Sequence, residues 1–480
     1  MQGLGGKHGF RSFLFAAAGF TCYRLYISIF FVSNNVMPQA GKPLGLMAYD
    51  AYSLLLALLV LACVFVRSQR LFCSDAACAV SGALMAMGAV CYGLPALGGT
   101  VFFFWAFVLC TGVGVALATV QWGYALGAGP GDRSTSAVIA GFFLAAVLNT
   151  GVGLFSIAYT VAAAFVGPLA CVFLVLLRRA RPEGEADGAK EGLQEADGRF
   201  VLKASAAFLL FSVASVFCSI PMEFSVIGIA DAPHSVLPLL RTCVTAALCL
   251  IAFGLMAAAR LSLRALYRLI PLFLVVGGLS LFLRDMMPSF AYVCALVGRL
   301  GLQLMFWVFA PRIAHCSKMA TGRAFAVQFS LYWLGYAGSL LLVRRLWPDP
   351  YTASVDAMGG VVVAAVVMLT AAYLFVFPEH DLCEATARDS AARDAPAGAE
   401  AVPYSEAAQQ ALSTLAAEHG LSPRETEVFL LLAHGRDTAY IQKTLFISSG
   451  TVSSHRRRIY QKLGVHSKQE LLDVVERSRG

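Results

Sequence analysis

Near the end of the chain, the run Thr451-Val452-Ser453-Ser454-His455-Arg456-Arg457-Arg458-Ile459-Tyr460-Gln461 has residue types suited to hydrogen-bonding an acidic polymer rather than to making or breaking covalent bonds. At about 100° per residue, Val452, His455, Ile459 and Leu463 share one stripe of a helix, while Ser453, Ser454, Arg457, Arg458 and Gln461 face the other way. Short hydroxyl side chains permit close approach to a groove, and arginine either forks onto a guanine edge or grips phosphate. His455 lies on the packed stripe, where a structural role is expected rather than base reading. An ordinary solvated face is the plainer alternative for the polar side.

A second set of polar residues interrupts long apolar runs: Arg24, Gln121, Glu223 and Arg299. Ionisable groups deep in a bilayer are costly. Arg24 and Arg299 therefore either face a wet cavity, where they favour an anion, or belong to a structural pair such as Arg24 with Asp50 or Glu223. Arg241 and Asp356 lie nearer membrane surfaces, where snorkelling accounts for them. Thirteen cysteines are present, but most stand singly in apolar runs (Cys22, Cys63, Cys110, Cys171, Cys249, Cys294) and no CxxC pair occurs, so small buried hydrophobes are expected. No convergent Ser/His/Asp, Cys/His or metal-spaced cluster appears, so no enzyme activity, cofactor or metal is expected.

The elements that position these residues follow from composition. Of 480 residues, 59% are hydrophobic and 13% charged, which makes lipid the main solvent and membrane lipid a partner. The net charge of +8 is mild for this length, and charge becomes frequent only after about Pro378. A membrane-crossing helix needs roughly 20 apolar residues. The candidate spans run Phe13 to Val32, Leu46 to Val66, Ser74 to Leu94, Thr100 to Trp122, Ser134 to Gly153, Ile157 to Leu177, Phe200 to Pro221, Ser235 to Met256, Leu269 to Leu283, Pro288 to Ala310, Ala324 to Val343 and Ser354 to Phe377. The first follows Lys7 and Arg11 as a signal peptide would, but its length and the spans after it predict a retained helix.

Alternate loops carry Lys7, Arg11, Arg67, Arg70, Arg133, Arg178, Arg179, Arg181, Lys190, Arg199, Lys203, Arg260, Arg264, Arg268, Arg312, Lys318 and Arg323; the intervening loops hold only Lys42, Arg284, Arg344 and Arg345. This bias and the even number of spans predict an inner-membrane, multi-pass chain with both termini cytoplasmic. The polar segment Arg178 to Arg199 reads as a disordered cytoplasmic loop that divides the spans six and six.

Residues 1–378 thus form the predicted membrane domain, with spans in 13–177 and 200–377 around the loop 178–199. Residues 379–404 read as a flexible tether reaching roughly 25–30 Å. Residues 405–419 read as a lead-in helix through Ala408, Leu412 and Leu415, ended by Gly420. Residues 420–480 hold four helix signals. Ser422-Pro423-Arg424-Glu425 is a capping box with proline at the first helical position, and Gly435 is a stop. Asp437 caps a second helix with Ile441 and Leu445, Ser448 caps a third running to Leu463 and Gly464, and Ser467 to Glu470 opens a fourth.

This last segment resembles the LuxR-type DNA-binding domain at Leu421, Pro423, Arg424-Glu425, Glu427-Val428, Gly435, Ile441, Leu445, Ile447-Ser448, Thr451-Val452, His455, Ile459 and Lys462-Leu463-Gly464-Val465. The resemblance implies a helix-turn-helix that binds double-stranded DNA through Thr451, Ser453, Ser454, Arg457, Arg458, Gln461 and Lys443. It also implies a homodimer through the fourth helix, where Leu471, Leu472 and Val475 exceed what one small core needs, and RNA polymerase as a further candidate partner. Ser453 stands where the family commonly has lysine, so one base contact expected from the family is missing or altered.

The six-plus-six membrane part resembles the major facilitator superfamily in architecture. That family's glycine- and charge-rich motif between the second and third spans has no counterpart in Val66 to Ser74. In that fold the first, fourth, seventh and tenth helices line the cavity, which implies a ligand site at Arg24, Gln121, Glu223 and Arg299. The expected fold is all-α, a polytopic helical bundle followed by a four-helix helix-turn-helix domain. The expected function is a membrane-bound one-component regulator controlled by a small-molecule ligand. The alternatives are a major-facilitator-like transporter with a regulatory DNA-binding tail, and a scaffold that only anchors the DNA-binding domain.

Overall fold

The computed structural model describes residues 7–32, 48–66, 74–93, 100–129, 131–154, 159–180, 198–230, 237–258, 267, 269–283, 286–317, 319–346, 355–371, 373, 376, 412, 414–433, 441, 445, 449–465, 470–471 and 475. It divides into two compact units, Met1–Asp394 and Ala395–Gly480. The tether and Lys443 lie outside the described residues, as does most of the loop between the sixth and seventh spans.

Among the described residues of the first unit, helices stand at the places of all twelve expected spans: α1 Lys7–Val32, α2 Ala48–Val64, α3 Asp75–Gly93, α4 Thr100–Gly127, α5 Gly131–Leu154, α6 Tyr159–Arg179, α7 Gly198–Ala230, α8 Leu237–Ala258, α9 Leu269–Leu283, α10 Pro288–His315, α11 Thr321–Leu346 and α12 Val355–Ala371. Among the described residues eight of them (α1, α3 to α7, α10 and α11) are long and apolar enough to cross a membrane, and α2, α8 and α12 contain shorter apolar helices. Local chemistry sets several ends. Ser74 Oγ accepts the Ala77 N–H at 3.1 Å and Asp75 occupies the first turn of α3, so the helix dipole is met by an acid there. Arg178 and Arg179 close α6 with the opposite charge, and proline opens α10.

Inside the bundle, hydroxyls satisfy themselves on their own helix. Thr21, Thr119, Ser205 and Ser330 each donate to the carbonyl four residues back, which suits a medium without water. Helices α1, α3, α4, α5 and α6 pack on one another, as do α7, α9, α10, α11 and α12. The two halves meet where α2 packs on α11, α5 on α8, and α4 on α10 and α11. Glycine permits that last approach: a Cβ at Gly127 would sit 2.7 Å from the Pro311 carbonyl oxygen, and Gly123 lies directly against Phe325. Aromatic rings fill the seam, with Phe20 5.0 Å and Tyr23 5.5 Å from Trp307 across it.

The second unit has its own core of Leu412, Ala416, Val428, Phe429, Leu432, Ile441, Val452, Ile459, Leu463, Val465, Leu471 and Val475. Leu412 and residues 414–418 are helical, and Leu412 and Ala416 are buried in that core, so the lead-in helix is part of the domain rather than of the tether. Helix α13, Pro423–Ala433, and helix α14, Ser449–Leu463, are the two longest described elements. Gly420 and Gly464 adopt φ of 63° and 68°, the left-handed conformation that glycine supplies at a helix end. The bonds Leu421 N–H to Ala416 O at 2.9 Å and Val465 N–H to Tyr460 O at 3.0 Å complete those two stops.

Candidate nucleic-acid interface and membrane site

The face that α14 presents is fixed by what its other side buries. Val452 and Ile459 are fully buried and Leu463 nearly so, whereas Thr451, Ser453, Ser454, Arg457, Arg458 and Gln461 are exposed. His455 is half-buried, and its Nδ1 is enclosed without a partner among the described residues. Arg456 is half-buried beside Tyr460; burial pushes that phenol up and the Arg456 charge opposes the shift.

Side chains lock α14 to α13. Glu425 N–H meets Ser422 Oγ at 3.3 Å and Ser422 N–H meets Glu425 Oε2 at 2.9 Å, a reciprocal capping box. Lys462 Nζ then donates to Glu425 Oε2 at 2.7 Å and to Gly420 O at 2.8 Å, so the end of α14 is held on the start of α13. Arg424 pairs with Glu427 and donates to Leu445 O at 2.6 Å, which ties in the second helix.

These donors, Lys462 first and then the Ser422 backbone, hold the Glu425 carboxyl at about 2 against an ordinary 4.5. A depressed acid contributes stability that is complete above its unfolded value and lost as pH falls toward the folded one. Unscreened, the shift is worth about 3 kcal/mol; the partly exposed Lys462 discounts it to on the order of 1–2 kcal/mol. In a fragment of residues 395–480, denaturant midpoints should therefore fall between pH 4.5 and 2. Glu425→Gln should be weaker at neutral pH and flat across that window; an unchanged pH slope would remove this pair from the account.

Two expectations about the fourth helix need correction. Leu471 and Val475 are buried within this domain's own core, so they are not spare surface for a second copy. Leu472 lies outside the described residues.

In the membrane unit, Arg24 and Arg299 are buried at 7% and 6% exposure. They come from opposite halves and lie at matching depth. Arg24 is about 25 Å along α1 from its start and Arg299 about 24 Å from the end of α10, at 1.5 Å per residue. Arg24 Nη2 donates to Gln303 Oε1 at 3.1 Å, one turn beyond Arg299, and its guanidinium lies 4.2 Å from the Phe142 ring centroid. Both arginines interact electrostatically with the Tyr332 hydroxyl on α11. Gln121 does not join them. It turns toward α3, where its Oε1 accepts from Cys78 Sγ at 3.5 Å. Glu223 and Asp50 lie on α7 and α2, but their side chains are outside the described residues. Gln303 was missed in the sequence, although its four-residue spacing from Arg299 puts both on one face.

Residues 419–475 match the family model of bacterial regulatory proteins of the luxR family. The chain is 43% identical over 56 residues to the fimbriae Z protein of Salmonella typhimurium, covering 12% of this chain and 27% of that one. It is 41% identical over 58 residues to the virulence-factor positive transcription regulator BvgA of Bordetella pertussis, covering 12% and 28%. The chain thus spans about a quarter of the length of these relatives. The membrane unit is similar in fold to the inward-open xylose transporter XylE of E. coli, with TM-score 0.54, 14% identity, and 77% of this chain and 98% of that one covered. It is also similar to an outward-facing bacterial homologue of the iron transporter ferroportin, with TM-score 0.51, 14% identity, and coverage of 78% and 100%. Residues 419–475 are therefore a LuxR-family helix-turn-helix domain, and the multi-pass membrane unit before it has a fold like that of major facilitator transporters.

Proposed function

We propose that this protein is a membrane-bound one-component transcription regulator. Its helix-turn-helix domain binds double-stranded DNA in a sequence-specific way, and its membrane unit senses a small ligand. The observation that carries the reading is the exposed face of α14, where Thr451, Ser453, Ser454, Arg457, Arg458 and Gln461 stand opposite a buried stripe. In this reading Lys443 adds a phosphate contact, two copies pair on an inverted-repeat operator, and RNA polymerase is a candidate partner of the bound dimer. The pairing is assigned to the fourth helix, but not to the buried Leu471 and Val475.

DNA binding requires the C terminus to face the nucleoid, so the chain sits in the inner membrane with both termini cytoplasmic, as the loop charges favour. Fusions at Gly480 should give signal with a reporter active only in the cytoplasm and none with one active only outside it. The reverse pattern overturns the whole reading. The fold shared with transporters supports a second reading, a transporter with a regulatory DNA-binding tail; substrate flux in proteoliposomes separates the two.

A further inference from the structure

At the end of the bundle that carries the first turn of α3 and the last turn of α6, one sulfur lies between a guanidinium donor and an amide oxygen. Cys78 is fully buried. Its Sγ lies 3.4 Å from Arg178 Nη2 and 3.5 Å from Gln121 Oε1. Each of those two side chains also has a donor, Arg178 Nε and Gln121 Nε2, that is buried without a partner among the described residues. Gln121 itself is only 3% exposed. Buried donors are almost always satisfied, so two orphans on side chains that already touch one sulfur call for an acceptor at that place.

The plain alternative is a small buried thiol with imperfect packing around it. A metal ion is disfavoured, because a guanidinium beside the sulfur repels a cation. The same charge, with the start of α3 close by, favours an anion built on the sulfur.

We propose that Cys78 is an oxidant-modified cysteine whose sulfenate oxygen is held by Arg178 and Gln121. The oxidant is a hydroperoxide. The sulfur attacks one peroxide oxygen and the O–O bond breaks; the departing oxygen takes the thiol proton and leaves as water when the oxidant is hydrogen peroxide. Sulfur is oxidised by two electrons and the peroxide is reduced by two. Rotation of the Gln121 amide turns its nitrogen toward the new oxygen. Asp75, one turn from Cys78, is exposed, and its Oδ1 accepts at 2.7 Å from the same Arg178 Nη2 that lies on the sulfur, so the solvated end of α3 is the side from which a small peroxide reaches it. An oxygen on Cys78 competes with Asp75 for that guanidinium and so loosens the clamp that Arg178 and Arg179 make between α6 and α3.

The test uses the full chain purified in detergent, pulsed with graded hydrogen peroxide, quenched, and unfolded in dimedone before digestion and mass analysis. Cys78 should be trapped at a dose about tenfold lower than Cys218 and Cys249, which serve as buried references. Gln121→Leu and Arg178→Leu should each erase that lead. Arg178→Lys should keep much of it, and Asp75→Asn, which breaks only the ion pair, should keep all of it. Cys78 staying reduced at doses that modify the references would overturn the proposal. So would an unchanged lead in Gln121→Leu and Arg178→Leu proteins that remain monodisperse.

Discussion

Arg457→Ala should collapse the preference of the C-terminal domain for its operator over random DNA, while Arg458→Ala should weaken binding to both alike. The three consecutive arginines are not equivalent, because neighbours on a helix point about 100° apart. Measured from the buried Val452, Arg456 lies about 40° away, Arg457 about 140° and Arg458 about 240°. Burial follows the same order: Arg456 is half-buried against Tyr460, whereas Arg457 and Arg458 are exposed. Only Arg457 stands squarely opposite the packed stripe, where a side chain reaches base edges when the helix lies in the major groove. A bidentate contact to guanine discriminates by about 1–3 kcal/mol, so the specificity ratio should fall roughly 5- to 150-fold. A phosphate contact carries no sequence information, so Arg458→Ala should lower the salt slope by about one unit and leave the ratio intact. The measurement is binding of residues 395–480 to operator and random duplexes across salt. Equal losses on both duplexes for Arg457→Ala, or lost discrimination in Arg458→Ala alone, would mean that α14 enters the groove in another rotation.

That register could be read from the sequence because helix-turn-helix domains are built from local rules. The capping box at Ser422 and Glu425 is written in four consecutive residues, and the stops at Gly420 and Gly464 need only a residue that tolerates positive φ. The places of the membrane helices were legible for a similar reason, since crossing lipid demands a run of apolar residues whatever the neighbours are.

Which way a helix faces inside the bundle was not legible. A helix buried on most sides shows no polar-apolar periodicity, so Gln121 was placed in the central cavity by helix number alone, yet it faces Cys78 on α3. The same limit hid the link between Arg24 and Gln303, which joins two residues 279 positions apart. In the small domain the error ran the other way. Leu471 and Val475 looked surplus to a sixty-residue core, but the lead-in helix enlarges that core and leaves both buried.

If the membrane unit senses a small ligand as proposed, replacing Arg24 and Arg299 together by leucine should abolish the response while leaving the protein inserted. Two buried guanidinium groups come from opposite halves, and Arg24 reaches across the seam to Gln303, one turn from Arg299. A small anion bound there would touch α1 and α10 at once, so its affinity would depend on how the halves sit. That dependence is what a signal requires, because a ligand shifts a two-state equilibrium only by its differential affinity. Nearly complete switching takes about 5.5 kcal/mol. Phe142 on one face of Arg24 and Tyr332 near both charges would then select among anions by shape.

The measurement is a target-promoter reporter read across a panel of small carboxylates and phosphates. The parent should span at least about tenfold, equivalent to about 1.4 kcal/mol. The double leucine variant should be flat at one extreme. Gln303→Leu separates the two roles of the site, because it removes the bond across the seam but keeps both charges; it should shift the basal level and preserve the response. An undiminished response in the double variant would assign both arginines to structural pairing and move the ligand site elsewhere in the bundle.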